Sequence, residues 1–158
     1  MSGCIAELLL GYVSPGVQHR AFSCQGFTLP HFSKTSQRRL ATCDERLQRI
    51  FNAVIQRYNC SVLEGHRGKE SQEKAFREGK SKARFGQSKH NTSPSKAVDV
   101  APYPIDWNDR EYFCHFAGYV KAVADQMGIK IRWGGDWNMN NRSTDESFSD
   151  MPHFELID

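Results

Sequence analysis

The 158-residue sequence has no stretch approaching the ~18 apolar residues of a membrane span; its nearest run, residues 4–13, is short and interrupted by Glu7. No basic residue precedes that run, the first arginine being Arg20, so neither membrane insertion nor a secretory signal is expected. The cysteines are five, an odd number, and form no C-x-x-C pair, which argues against a disulfide framework and against a cysteine-type zinc knuckle. The H-E-x-x-H signature of many metalloproteases is missing, as are internal repeats. Twelve glycines and six prolines are ordinary usage and exclude collagen-like or low-complexity chains. What these absences leave is one domain, made in the cytoplasm and working as a monomer, with 39% hydrophobic residues to build a single core.

Charge is unevenly placed although the formal net value is only +3. Residues 66–96 carry nine Lys/Arg against three Glu, whereas residues 133–158 carry one Arg against six Asp/Glu. Such runs are commonly solvated faces; the alternative is a cleft with one basic and one acidic wall. The basic run has no platform of interleaved aromatic rings, so nucleic acid is not expected as a partner.

Residues 1–26 show no sustained period and read as an N-terminal extension, with the domain proper over 27–158. Leu40, Cys43, Leu47, Ile50, Phe51, Val54, Ile55 and Tyr58 recur at spacings of three and four and predict one amphipathic helix, capped by Ser36 or Thr42. Residues 60–65 read as a short strand, and 68–79 as a small helix with Gly68 at its N-cap. A polar loop over 80–95 leads to a strand at 97–101 that Pro102 and Pro104 stop. Tyr112, Phe113, Phe116, Ala117, Val120, Val123, Ala124 and Met127 form the apolar stripe of a second long helix, capped by Asn108 or Asp109. Strands at 129–133 and 153–157 flank a loop over 134–150. This alternation predicts an α+β fold: a small antiparallel sheet with helices packed on one side.

Of the six histidines, His19 and His31 fall in or beside the extension and His115 faces away from its helix's apolar stripe. Cys114 next to His115 suggests a nucleophile pair, but neighbours on a helix point about 100° apart. His66, His90 and His153 remain, each at a junction of loop and strand. Asp99 sits on an otherwise apolar strand, where a carboxylate is costly unless paired or bound to a metal. His90, Asp99 and His153 are therefore a candidate three-ligand metal set that leaves one position open. Spacing alone is weak support for it, since any chain with six histidines can supply such a trio. Asp150, three residues before His153, and Arg67, in E-G-H-R-G-K, are candidate catalytic neighbours.

Four motifs in order carry a resemblance over residues 30–158: E-G-H-R-G-K-E-S-Q, S-K-H-N-T-S-P-S-K-A-V-D-V-A-P-Y, I-R-W-G-G-D-W and D-M-P-H-F-E-L. In them the chain resembles the zinc peptidases of the D-alanyl-D-alanine carboxypeptidase and phage endolysin type, which share their fold with the Hedgehog signalling domain. The resemblance implies His90, Asp99 and His153 as Zn2+ ligands and Asp150 as general base and acid. It implies Arg67 as the anchor for substrate or oxyanion, Ser88 as a substrate-contacting hydroxyl, and Gln72 and Trp137 as further cleft residues. The implied partner is the stem peptide of bacterial peptidoglycan, cut at an L-Ala–D-Glu type bond after the enzyme is released to the wall. A D-alanyl-D-alanine carboxypeptidase and a non-catalytic zinc module of the Hedgehog type are the alternatives. The chain departs from the commonest pattern in one respect: Asp99 follows His90 by nine residues where seven is usual, with Ser93 in place of a glycine.

Overall fold

The computed structural model describes residues 30–158; the extension expected over residues 1–26 lies outside them. The amphipathic pattern expected as one helix is two, α1 (Lys34–Leu40) and α2 (Glu45–Val54). Its apolar spacing runs on through the break, but the chain turns at residues 41–44 because partners outside the helix intervene. Thr42 Oγ1 donates to the Arg39 carbonyl at 2.6 Å, and Cys43 bridges to Ser95 in a different part of the chain. The caps are Ser33 and Asp44, whose side chains accept from the amides of Ser36 and Arg46, and not the expected Ser36 or Thr42.

Strand β1 (Cys60–Glu64), helix α3 (Lys69–Arg77) with Gly68 at its N-cap, and strand β2 (Ala97–Pro102) follow the sequence pattern closely. Between α3 and β2 the polar loop holds one 3-10 turn, Lys89–Asn91. Helix α4 (Arg110–Gln126) is capped by Asp109, and strands β3 (Ile131–Trp133) and β4 (His153–Leu156) complete the domain. No helix among the described residues is long and apolar enough to cross a membrane.

The four strands form one antiparallel sheet in the order β1-β2-β4-β3, an α+β fold as expected. Alternation along the strands splits the sheet into two unlike faces. Val62, Val98, Val100, Phe154 and Leu156 are fully buried against Phe51 of α2 and Phe116 and Val120 of α4, each removal from water being worth ~1.5–3 kcal/mol. The opposite face carries Asp99, His153, Glu155 and Arg132, away from α2 and α4. Register makes their juxtaposition unavoidable: Asp99 pairs with His153, Ala97 with Glu155, and Glu155 in turn with Arg132.

Candidate active site

A cleft of about 440 Å³ opens on this second face, lined by Arg67, Ser88, His90, Asp99, Trp137, Asp150 and His153 among others. Gln72, the remaining residue expected there, is completely buried beside it and is not on its wall. His66 and His115 are exposed elsewhere, and His115 Nδ1 is engaged by the Tyr58 hydroxyl at 3.0 Å. Cys114 has Ser143 Oγ as its partner at 3.4 Å, so no Cys–His pair is assembled.

His90 is held in the 3-10 turn, which Ser88 and Asn91 close from opposite ends as a capping box. Its Nδ1 lies 2.7 Å from the Gly65 carbonyl, which can only accept, so the proton is on Nδ1 and Nε2 presents its lone pair to the cleft. Gly65 is required there: a Cβ would stand 2.3 Å from Thr42 Oγ1 and 2.4 Å from the Arg39 carbonyl oxygen. The longer loop between His90 and Asp99 is tied to the α1–α2 corner, Ser95 N donating to Thr42 O at 2.9 Å and Asp44 N to Ser95 O at 2.8 Å. The two additional residues are thus absorbed outside the cleft.

Three donor atoms meet. His90 Nε2 is 3.2 Å from Asp99 Oδ1 and 3.2 Å from His153 Nδ1, and His153 Nδ1 is 3.1 Å from Asp99 Oδ1. These residues form a buried or half-buried group able to hold a metal ion. The fit is geometric as well as chemical. Corners of such a triangle lie about 1.8 Å from its centre (edge divided by √3), so His90, Asp99 and His153 would together suit an ion bound at the ~2.0–2.1 Å of zinc–nitrogen and zinc–oxygen bonds. Burial alone would raise the Asp99 carboxyl, but the adjoining imidazoles of His153 and His90 outweigh it and hold it below the usual carboxylate range. Burial also opposes charge on His153, yet hydrogen bonds to Asp99 and Glu155 push its pKa up to about 9.

Arg67 leaves the end of β1 and is fixed at both backbone ends, its N–H donating to His90 O at 2.8 Å and its carbonyl accepting from Asn91 Nδ2 at 2.9 Å. Its guanidinium pairs with Glu64 and reaches Asp99 Oδ2 at 3.5 Å. Asp150 sits half-buried in the turn before β4, and burial, then the nearby Asp99 charge, pushes its carboxyl up. That turn is tied to β3: Asp150 N donates to Gly134 O and Gly134 N to His153 O, both at 2.8 Å. Trp137 stacks on Phe148 at 6.3 Å between ring centres and stands 5.3 Å from the His153 ring. Its indole Nε1 is buried and has no hydrogen-bond partner among the described residues.

Gln72 works from beneath. Its amide donates to Ala83 O at 2.6 Å and Ser81 Oγ at 2.9 Å while its oxygen accepts from Asn91 at 3.2 Å, pinning the basic loop to the turn that bears His90. Glu155 was not among the residues expected to form the site. It is buried, accepts from His153 Nε2 at 3.2 Å and pairs with Arg132 and Lys89. The signal was there in part: residues 153 and 155 share a face of any strand.

A three-donor group able to hold a metal ion, with a carboxylate and a guanidinium on the same cleft, is an arrangement compatible with a metal-assisted hydrolase. Residues 28–157 match the family model described as phage L-alanyl-D-glutamate peptidase, and the chain belongs to that family. It is 32% identical over 135 residues to the L-alanyl-D-glutamate peptidase of Escherichia phage T5, an alignment covering 80% of this chain and 97% of that one. The fold is similar to that of the Serratia marcescens L-Ala D-Glu endopeptidase ChiX in its crystal structure, with a TM-score of 0.64 and 27% identity over 81% of this chain and 91% of that one.

Proposed function

We propose that the chain is a zinc-dependent endopeptidase that hydrolyses the L-alanyl–D-glutamate bond in the stem peptide of bacterial peptidoglycan, acting on the wall in phage lysis after synthesis in the cytoplasm. The convergence of His90, Asp99 and His153 on one point, with Asp150 and Arg67 lining the same cleft, carries the reading. Zinc held by these three residues supplies Lewis-acid polarisation of the scissile carbonyl and activation of water at neutral pH. Asp150 takes the proton from the attacking water and passes it to the leaving amine of D-glutamate, a role its half-buried, raised carboxyl suits. Arg67, immobilised by Glu64 and Asp99, aims its charge where negative charge develops on the carbonyl oxygen or where a substrate carboxylate docks.

Ser88 and Trp137, both on the cleft wall, contact the peptide backbone. Lys80 and Lys82 on the basic wall favour an acidic peptide. Gln72 serves by holding that wall in place.

Digestion of purified peptidoglycan, followed by mass spectrometry of the fragments, tests the reading. New termini are expected at L-alanine and D-glutamate, and a chelator should abolish them until zinc is restored. Release of free D-alanine without that cleavage identifies a carboxypeptidase instead, and chelator-resistant cleavage removes the metal from the mechanism.

A further inference from the structure

Glu155 takes no part in the chemistry above, yet its carboxylate is 5% exposed and fully engaged. Its two oxygens are used differently. Oε1 accepts from Arg132 Nε at 3.0 Å and from Arg132 Nη2, and lies 3.6 Å from Lys89 Nζ. Oε2 is left to His153 Nε2, at 3.2 Å. The two cations offset the cost of burying the carboxylate, and the second oxygen is thereby free to face the imidazole alone. Arg132 is itself held, its guanidinium lying 5.2 Å from the Trp137 ring. Strand pairing sets all of this, because Glu155 is the register partner of Arg132 and lies on the same face as His153.

We propose that Glu155 is the positioning residue of the metal seat: its Oε2 keeps the proton of His153 on Nε2, and so directs the Nδ1 lone pair to the point shared with His90 and Asp99. The inference rests on the reading of those three residues as ligands. A carboxylate behind a ligating histidine fixes ring orientation and raises ligand basicity, and its loss typically weakens metal binding about 10–100-fold. The isosteric Glu155→Gln change is the informative one. Arg132 can be satisfied only by the amide oxygen, which turns the amide N–H₂ group toward His153 Nε2, where a donor opposes a donor.

The experiment compares wild type, Glu155→Gln and Arg132→Met. Zinc content is measured by elemental analysis, zinc affinity by competition with a chromophoric chelator, and the His153 imidazole by ¹⁵N-resolved NMR of the zinc-loaded protein. Wild type should bind one zinc and show a slowly exchanging Nε2–H. Glu155→Gln should bind zinc about 10–100-fold more weakly and lose that resonance while its metal-free melting temperature stays close to wild type. Arg132→Met, which leaves the Oε2 contact in place, should keep the resonance. Wild-type protein without stoichiometric zinc defeats the metal seat and this inference together. Normal zinc affinity and an unaltered Nε2–H signal in Glu155→Gln defeat this inference alone. So does a Glu155→Gln protein that keeps its zinc but loses turnover, since Glu155 is then acting on the substrate.

Discussion

Replacing Gly134 by alanine perturbs the site while leaving every proposed catalytic and metal-binding side chain chemically intact. Gly134 opens the loop between β3 and β4 and exchanges backbone hydrogen bonds with both Asp150 and His153. A Cβ at this position stands 2.4 Å from the Asp150 carbonyl oxygen and 3.0 Å from the Cβ atoms of Asp150 and His153. Ordinary contact begins near 3.4 Å, and the nearest atom is backbone, so the Asp150 turn must give by about 1 Å. Displacing a catalytic group by that much costs up to about 100-fold in rate. The overpacking itself costs ~1–3 kcal/mol, which in a domain of this size lowers the melting temperature by roughly 3–15 °C. Gly118→Ala is the matched control: Gly118 is exposed in the middle of α4 with nothing within 4 Å of the added carbon. That change should raise stability by about 0.5–1 kcal/mol through helix propensity and leave turnover unaltered. Thermal melts and turnover on purified peptidoglycan for both variants decide the matter. A Gly134→Ala enzyme with wild-type turnover and a melting temperature equal to that of Gly118→Ala would refute the claim that this glycine sets the position of Asp150.

Asp150→Ala should retain about one zinc per chain and lose about 10²–10⁴-fold in turnover, the usual worth of a general base, whereas His153→Ala should lose zinc and turnover together; elemental analysis that finds both variants equally depleted makes Asp150 a ligand. Gln72→Leu leaves the Ala83 carbonyl and the Asn91 amide short of partners, so it should cost ~1–3 kcal/mol in urea unfolding and raise KM more than it lowers kcat. Burial pushes the thiols of Cys43 and Cys60 up to about 12, so iodoacetamide at pH 8 should label neither in the folded protein and both after denaturation, as read by peptide mass spectrometry. Asp44→Ala should cost ~1–2 kcal/mol at neutral pH by removing the α2 cap. The Arg46 side chain holds the Asp44 carboxyl below its usual value, so the contribution is complete above the unfolded pKa and fades only as pH falls through the folded one. Urea melts should show a constant difference from pH 7 to 5 that shrinks below about pH 4; a difference that grows on acidification contradicts the sign.

Elements governed by their own residues were legible in the sequence. The apolar stripe of α4 with Asp109 ahead of it, and the prolines that stop β2, act locally and read locally. The break between α1 and α2 was not legible, because it is enforced by contacts of Thr42 and Cys43 with residues more than twenty positions away, at the end of β1 and before β2. The candidate site divides in the same way. His90, Asp99 and His153 stood out as residues that an apolar strand or its edge does not carry without a reason. Gln72 was marked as a cleft residue by motif alone, and nothing in a run of K-E-S-Q-E-K shows that its amide is completely buried. Glu155 was hidden because its significance depends on register: only the pairing of β4 with β3 brings Arg132 to it and leaves one oxygen for His153.

The sheet order has a consequence for how relatives of such a chain can diverge. β4 lies between β2 and β3, hydrogen-bonded on both sides, so Asp99 and His153 are held by the least movable part of the backbone. The residues proposed to reach a peptide, Lys82, Ser88, Trp137 and Asp150 among them, ride on two long connections, residues 80–88 after α3 and residues 134–150 after β3. Insertions and exchanges in those connections can redraw the cleft wall, and with it the choice of wall chemotype, while the reactive centre keeps its geometry. Reaction and recognition are thus heritable separately, and directed evolution of a new cut site should be sought in the two connections with all four strands left as they are.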